Sequence, residues 1–190
     1  MTSWIWIVGR VLGLSTTAGV RASLTLLVMG VCSREGWGFH LARFDWLESS
    51  IAIGVLVFLS ILEIAFDKVP AWDRLYGRLN LPWRLAAGAI AGAAVVGHGV
   101  PGLLAGLVAG AGLAWVGVNV KQLWRPRSAT STTTLPLLSL IEDVGAFVAA
   151  LLSATLPPFG YAIAGWMGWF DWRLRLRRVA KYKGLRVLSG

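Results

Sequence analysis

The stretch Ser49–Pro70, SSIAIGVLVFLSILEIAFDKVP, constrains the rest of the chain more than any other. It opens as an apolar run, Ile51 to Leu62, and then places Glu63, Asp67 and Lys68 in its last turn and a half. On a helix Glu63 and Asp67 share one face, about 6 Å apart along the axis. Pro70 cannot continue the helix and pushes Val69 out of the α region. A helix this apolar must either leave its acids at a solvated end or turn them toward other helices. Asp67 and Lys68 fit either reading. Glu63, about 7 Å inside the end and followed by Ile64, Ala65 and Phe66, fits the second.

The remaining sequence repeats this pattern of long apolar runs with a few ionised groups. Charged residues are 14% of the chain and the mean hydropathy is +0.67. A soluble domain carries roughly 25% charge. The expected fold is all-α, a polytopic helical membrane protein with about six transmembrane helices. Eleven Trp and 23 Gly suit interface anchoring and close helix packing. The single Cys32 excludes an internal disulfide and reads as a small packing residue. No cleaved signal peptide is expected, because no Lys or Arg precedes the first apolar residues and Arg10 interrupts the run.

The first apolar region, residues 4–31, predicts an interfacial start with Trp4 and Trp6 and one span over Val11 to Val31. Arg21 falls at its midpoint, and Thr17, Arg21 and Thr25 would line one face. A central Arg is costly against lipid, by about 2.5–3.5 kcal/mol or more, and should turn inward to a partner. It reads equally as a functional cation and as a structural ion-pair member. The next spans are expected at 50–67, Trp83 to Gly97, Pro101 to Val120, Pro136 to Leu156 and Phe159 to Trp172. The third and fourth are glycine-rich, with Gly88, Gly92, Gly102, Gly106 and Gly110 at four-residue steps. Packing of a tight helix hairpin explains that spacing better than a glycine-lined pore.

The fifth span carries Glu142 and Asp143 about 9 Å inside its start, on a small, partly polar face with Ser139, Ala146, Ala149 and Ser153. Between spans four and five, Ser128 and Thr130 to Thr134 form a hydroxyl cluster. It is either a flexible loop with a helix cap or a lip offering ligands to a solute. His40 and His98 sit in loops without metal-ligand spacing.

Residues 1–172 thus form one transmembrane domain and 173–190 a basic tail. The segments 68–84, 121–127 and the tail hold 14 of the 18 Lys and Arg, against two in the 32–48 loop. With six spans the positive-inside rule puts both termini in the cytoplasm. This arrangement accounts for the net charge of +9, so no nucleic-acid partner is expected. Arg173, Arg175, Arg177 and Arg178 would meet lipid headgroups. Membrane lipids are the expected partners, with a homodimer or a membrane-complex partner as a further expectation.

The same topology places Glu63, Glu142 and Asp143 at similar depth, with Arg21 about 6–8 Å deeper, within reach of its side chain. The expected site is one buried polar cluster of Arg21, Glu63, Glu142 and Asp143, with Asp67 at its mouth. Thr17, Thr25, Ser60 and Ser139 support it. Four carboxylates around one Arg would hold a cation or a proton.

Three motifs carry a resemblance: Gly19-Val20-Arg21-Ala22, Glu63-Ile64-Ala65-Phe66-Asp67-Lys68-Val69-Pro70, and Ser139-Leu140-Ile141-Glu142-Asp143-Val144. In these, and in their order over about residues 9–157, the chain resembles the bacterial DUF4126 membrane proteins. That resemblance implies a small helical protein of the bacterial cytoplasmic membrane and assigns no activity. After Pro70 the acidic positions are sparser than in the family pattern.

The leading expectation is a small proton-coupled secondary transporter or exchanger of a cation or small polar solute. The alternatives are a non-transporting subunit or scaffold of a larger complex and a lipid-phosphate translocator. No enzyme is expected: there is no Ser-His-Asp set, metal-ligand spacing or phosphate loop, and no cofactor is implied.

Overall fold

The computed structural model describes residues 4–67, 80–96, 99–124 and 134–186. Seven α-helices appear among them: α1 Trp4–Val20, α2 Ala22–Arg34, α3 Ser50–Asp67, α4 Leu81–Val96, α5 Gly99–Trp124, α6 Thr134–Thr155 and α7 Pro158–Arg186. Three segments, Ser50–Asp67, Gly99–Leu123 and Leu137–Thr155, are long and apolar enough to cross a membrane.

Helix α3 shows what surrounds the bundle. Ser49 Oγ caps it by accepting the Ala52 amide at 3.1 Å. Its buried residues are Leu56, Ser60, Glu63 and Asp67, one stripe at helical spacing. The opposite face bares Ile51 (81% exposed) and Phe58 (60%). An apolar helix that turns polar groups inward and large apolar ones outward suits lipid rather than water.

Helices α4 and α5 form the expected tight hairpin. A Cβ on Gly92 would strike the Gly106 carbonyl, and one on Gly110 the Gly88 carbonyl. The two backbones therefore touch where only glycine fits. The same device seats α1, where a Cβ on Gly19 would meet the Ala114 carbonyl.

The expected first span is not one helix. It ends at Val20, passes Arg21 in an extended conformation (φ −139°, ψ 94°), and starts again at Ala22. The chain also doubles back there. Arg10 donates to the Ala154 carbonyl at 3.1 Å and to the Gly38 carbonyl. Had α1 and α2 been collinear, Arg10 and Arg34 would lie roughly 36 Å apart. Thr17, Arg21 and Thr25 therefore do not line one helix face. Thr16 and Thr17 return their hydroxyls to the carbonyls of Leu12 (2.6 Å) and Gly13 (2.7 Å), a pattern that bends helices, and Gly19 weakens the last turn.

Helix ends consequently sort into two groups. One end of the bundle gathers the start of α1, the loop after α2, the start of α3 and the α6–α7 turn. There Arg10 also stacks 5.2 Å above the Phe39 ring, Ser33 donates to Glu48 at 2.6 Å, and Tyr161 Oη donates to the Ile5 carbonyl at 2.7 Å. The other end gathers Arg21, the end of α3, the start of α4, the end of α5 and the start of α6. Helices α1 and α7 both begin at the first end, so Trp4 and Arg186 lie at opposite ends. Six spans with both termini on one face do not describe this bundle. The difference comes from the reversal at Arg21, which adds one pass. Helix α7 also runs unbroken past Trp172 into the basic segment.

Candidate functional site

The Arg21 end of the bundle is where the charges meet. Arg21 is fully buried. Its Nη1 ion-pairs with Asp67 Oδ2. Its Nη2 lies 2.5 Å from Asp143 Oδ1, donates to Ser139 Oγ at 3.1 Å and comes within 4.0 Å of Glu142 Oε2. Lys121, near the end of α5, sets Nζ 2.6 Å from Asp67 Oδ2 and 3.8 Å from Glu142 Oε2. The turn between α1 and α2 aims the guanidinium; the C-terminal turn of α3 and the first turns of α6 aim the acids.

Glu63 anchors a second group. It accepts Arg84 Nη2 at 3.4 Å, Asn80 Nδ2 at 3.5 Å and the Ser23 amide at 3.3 Å. The Ser23 amide lies in the first turn of α2 and has no acceptor within its own helix, so a carboxylate there satisfies both the donor and the helix dipole. Trp83 Nε1 donates to Ser23 Oγ at 3.2 Å and packs this corner.

Ion pairs join four of the five ionised residues expected at the site, Arg21, Asp67, Glu142 and Asp143; Glu63, one turn from Asp67 on the same buried stripe of α3, holds the neighbouring group, and Asp67 is inside rather than at the mouth, 2% exposed. The expected charge balance is corrected. Among the described residues three cations, Arg21, Arg84 and Lys121, meet the four carboxylates, where one was expected. Arg84 and Lys121 lie in the basic segments 68–84 and 121–127, which the sequence places between spans. Their signal was position: each lies at the helix end nearest the acids, about one turn from the boundary. Asn80, Ser23 and Trp83 gave no signal of their own.

The supporting residues divide. Ser139 holds Arg21. Thr25 Oγ1 donates to the Arg21 carbonyl at 2.7 Å and steadies the turn, while Thr17 bonds only its own helix. Ser60 Oγ is buried without a hydrogen-bond partner. Asp143 is held by charge alone, since neither of its oxygens accepts a well-aligned hydrogen bond.

Of the arginines expected at lipid headgroups, Arg173 lies 5.0 Å above the Trp169 ring and Arg175 pairs with Asp171 at 2.8 Å. The side chains of Arg177 and Arg178 lie outside the described residues, as do Lys68, His98 and the hydroxyls of 128–133. Among the described residues no group of His, Cys, Asp and Glu is arranged to hold a metal.

A cavity of about 290 Å³ adjoins the cluster between α1, α5, α6 and α7. Lys121 and Glu142 are its only charged lining residues; the rest of its wall is aliphatic, glycine, Trp166 and Met167. Its accessible wall is almost wholly apolar, so the charged atoms of Lys121 and Glu142 are scarcely open to it.

Comparison with curated proteins and with solved structures finds no match. Among protein families, the domain of unknown function DUF4126 matches residues 8–177, a stretch that contains every charged residue of the cluster, and the chain belongs to that family.

Proposed function

We propose that the protein is a small secondary transporter or exchanger of the cytoplasmic membrane. It moves a cation or small polar solute past the Arg21 cluster, coupled to protons. The observation that carries this reading is the burial of seven charged side chains from five chain segments at one end of an apolar bundle. Holding a fold together does not require such a group, because apolar side chains of equal volume often do so as well or better. Ionisable groups within membrane helices mark solute and proton paths.

The Arg21 end faces the cytoplasm in this proposal, because the segments at that end carry 14 of the 18 Lys and Arg. Trp4 is then outside and the end of α7 inside. A cationic substrate reaching Glu142 displaces its contact with Lys121, whose ammonium stays paired with Asp67.

The test is flux in proteoliposomes loaded with a pH-sensitive dye. Addition of a transported solute should move protons only when protein is present, and Glu142→Gln should abolish that movement while the protein stays folded. Wild-type rates in Glu142→Gln for every coupled solute would overturn the proposal.

A scaffold reading is favoured by one feature, the near match of cations to acids among the described residues. Stoichiometric co-purification with another membrane complex, together with no flux for any solute, would select it.

A further inference from the structure

The cavity against α6 and α7 is a groove, open on one side and apolar over almost all of its accessible wall. Val20, Val120 and Ala146 form its buried floor, and the exposed Ile141 and Trp166 stand at its rim. On α6 it runs from Ile141 to Ala149, about 12 Å along the axis. Gly145 keeps its middle clear, since a Cβ there would meet no atom within 4 Å. Water finds no polar partner on such a wall, so the groove does not hold water. In a bilayer its open side meets hydrocarbon. A volume of about 290 Å³ lies at the low end of small-molecule sites and suits one acyl chain rather than two.

Helix α7 sets the chemistry of the head that belongs to this chain. Trp166 stacks on Phe170 with ring centroids 5.7 Å apart, which carries the apolar wall one turn toward Arg173. Arg173 is exposed, about 9 Å beyond Met167 along the axis, with its guanidinium over the Trp169 ring. Trp169 and Trp172 are exposed beside it, the residue type that marks a membrane boundary. Arg178 lies about 30 Å along the helix from Pro158, the thickness of a hydrocarbon core. With the start of α7 at one surface, its basic turns therefore reach the headgroups of the other. After Asp171 the chain carries seven Lys and Arg and no acid. We infer that the groove holds one acyl chain of an anionic phospholipid whose phosphate lies on the basic turns of α7.

Charge decides between this occupant and a second copy of the chain. Two copies in one membrane are related by a two-fold axis along its normal, so pairing through this groove would set seven cations beside seven. An anionic lipid neutralises them instead. The inference goes beyond the transport reading and rests only on the bundle lying in a bilayer.

The experiment is native mass spectrometry and thermal unfolding of the purified full chain in detergent. The probes are phosphatidylglycerol, its single-chain lyso form, phosphatidylcholine and glycerol 3-phosphate. One phosphatidylglycerol per chain should be retained about tenfold more tightly than phosphatidylcholine and should raise the melting temperature. The lyso form should bind nearly as well, and glycerol 3-phosphate should do nothing. Gly145→Leu should melt like the wild type without lipid and lose the retained lipid. Gly112→Leu, where an added Cβ also meets nothing, should keep it. Arg173→Gln/Arg177→Gln/Arg178→Gln, which spares the 2.8 Å pair of Arg175 with Asp171, should hold both lipids alike. This arginine variant decides the matter should Gly145→Leu fail to fold. Equal retention of the two lipids by the wild type, an equal effect of glycerol 3-phosphate, or full selectivity in the arginine variant would each overturn the inference. So would full retention by a folded Gly145→Leu, or a lipid-free dimer that this substitution dissociates, which would give the groove to a second copy.

Discussion

The two terminal nitrogens of Arg21 serve different helices, Nη1 the end of α3 through Asp67 and Nη2 the start of α6 through Asp143 and Ser139. Removing the side chain would take from buried Asp143 its close cation and from Asp67 one of two. Arg21→Met should lower stability by about 3–5 kcal/mol, read as chemical unfolding in detergent. Arg21→Lys should recover little, because one ammonium cannot address two acids in the planar arrangement of a guanidinium. Adding Asp143→Asn to Arg21→Met should restore part of the loss; strict additivity of the two changes would show that they do not interact. At this scale the acids were legible because a carboxylate stands out in an apolar run. Arg84 and Lys121 were not, because a cation at a helix boundary looks the same in sequence whether it snorkels into solvent or turns inward.

Among the elements, the α4–α5 hairpin and the α1–α2 reversal show opposite degrees of legibility. The glycine steps of the hairpin are a direct record of backbone contact, and they yield a matched pair of tests. Gly110→Val should push α5 off α4, at about 1–3 kcal/mol or more, and reduce the yield of monodisperse protein. Gly112→Val, two residues along the same helix where the added atoms meet nothing, should be nearly silent. Equal behaviour of the two would mean that the helices do not pack as described. The reversal left no such record. Residue 21 is neither Gly nor Pro, and the apolar run continues through it, so periodicity alone predicts a straight helix. The Thr16 and Thr17 back-bonds and Gly19 loosen the helix without marking a reversal in sequence, and the acids that hold the arginine aside come from the distant α3 and α6.

For the whole molecule, the added pass moves Trp4 and the end of α7 to opposite ends of the bundle. The single native thiol, Cys32, is buried and gives a low labelling background. Cysteines placed at the exposed positions Trp4 and Leu176 should therefore report sidedness cleanly. Trp4→Cys should react with a membrane-impermeant maleimide in spheroplasts, and Leu176→Cys only after permeabilisation; labelling of both from one side would overturn the topology. The expected arrangement failed here for an arithmetical reason, since one unseen reversal inverts the position of everything before it while the basic segments keep their side. One further consequence concerns α1. Arg10 fastens it to the Gly38 loop and the end of α6, and Arg21, about 16 Å along the axis, fastens it to α3 and the start of α6. A rod pinned at both extremities is a spindle: it cannot slide without unseating one arginine. Any rearrangement that uncovers the charges must then come from the outer staves swinging about this fixed axle.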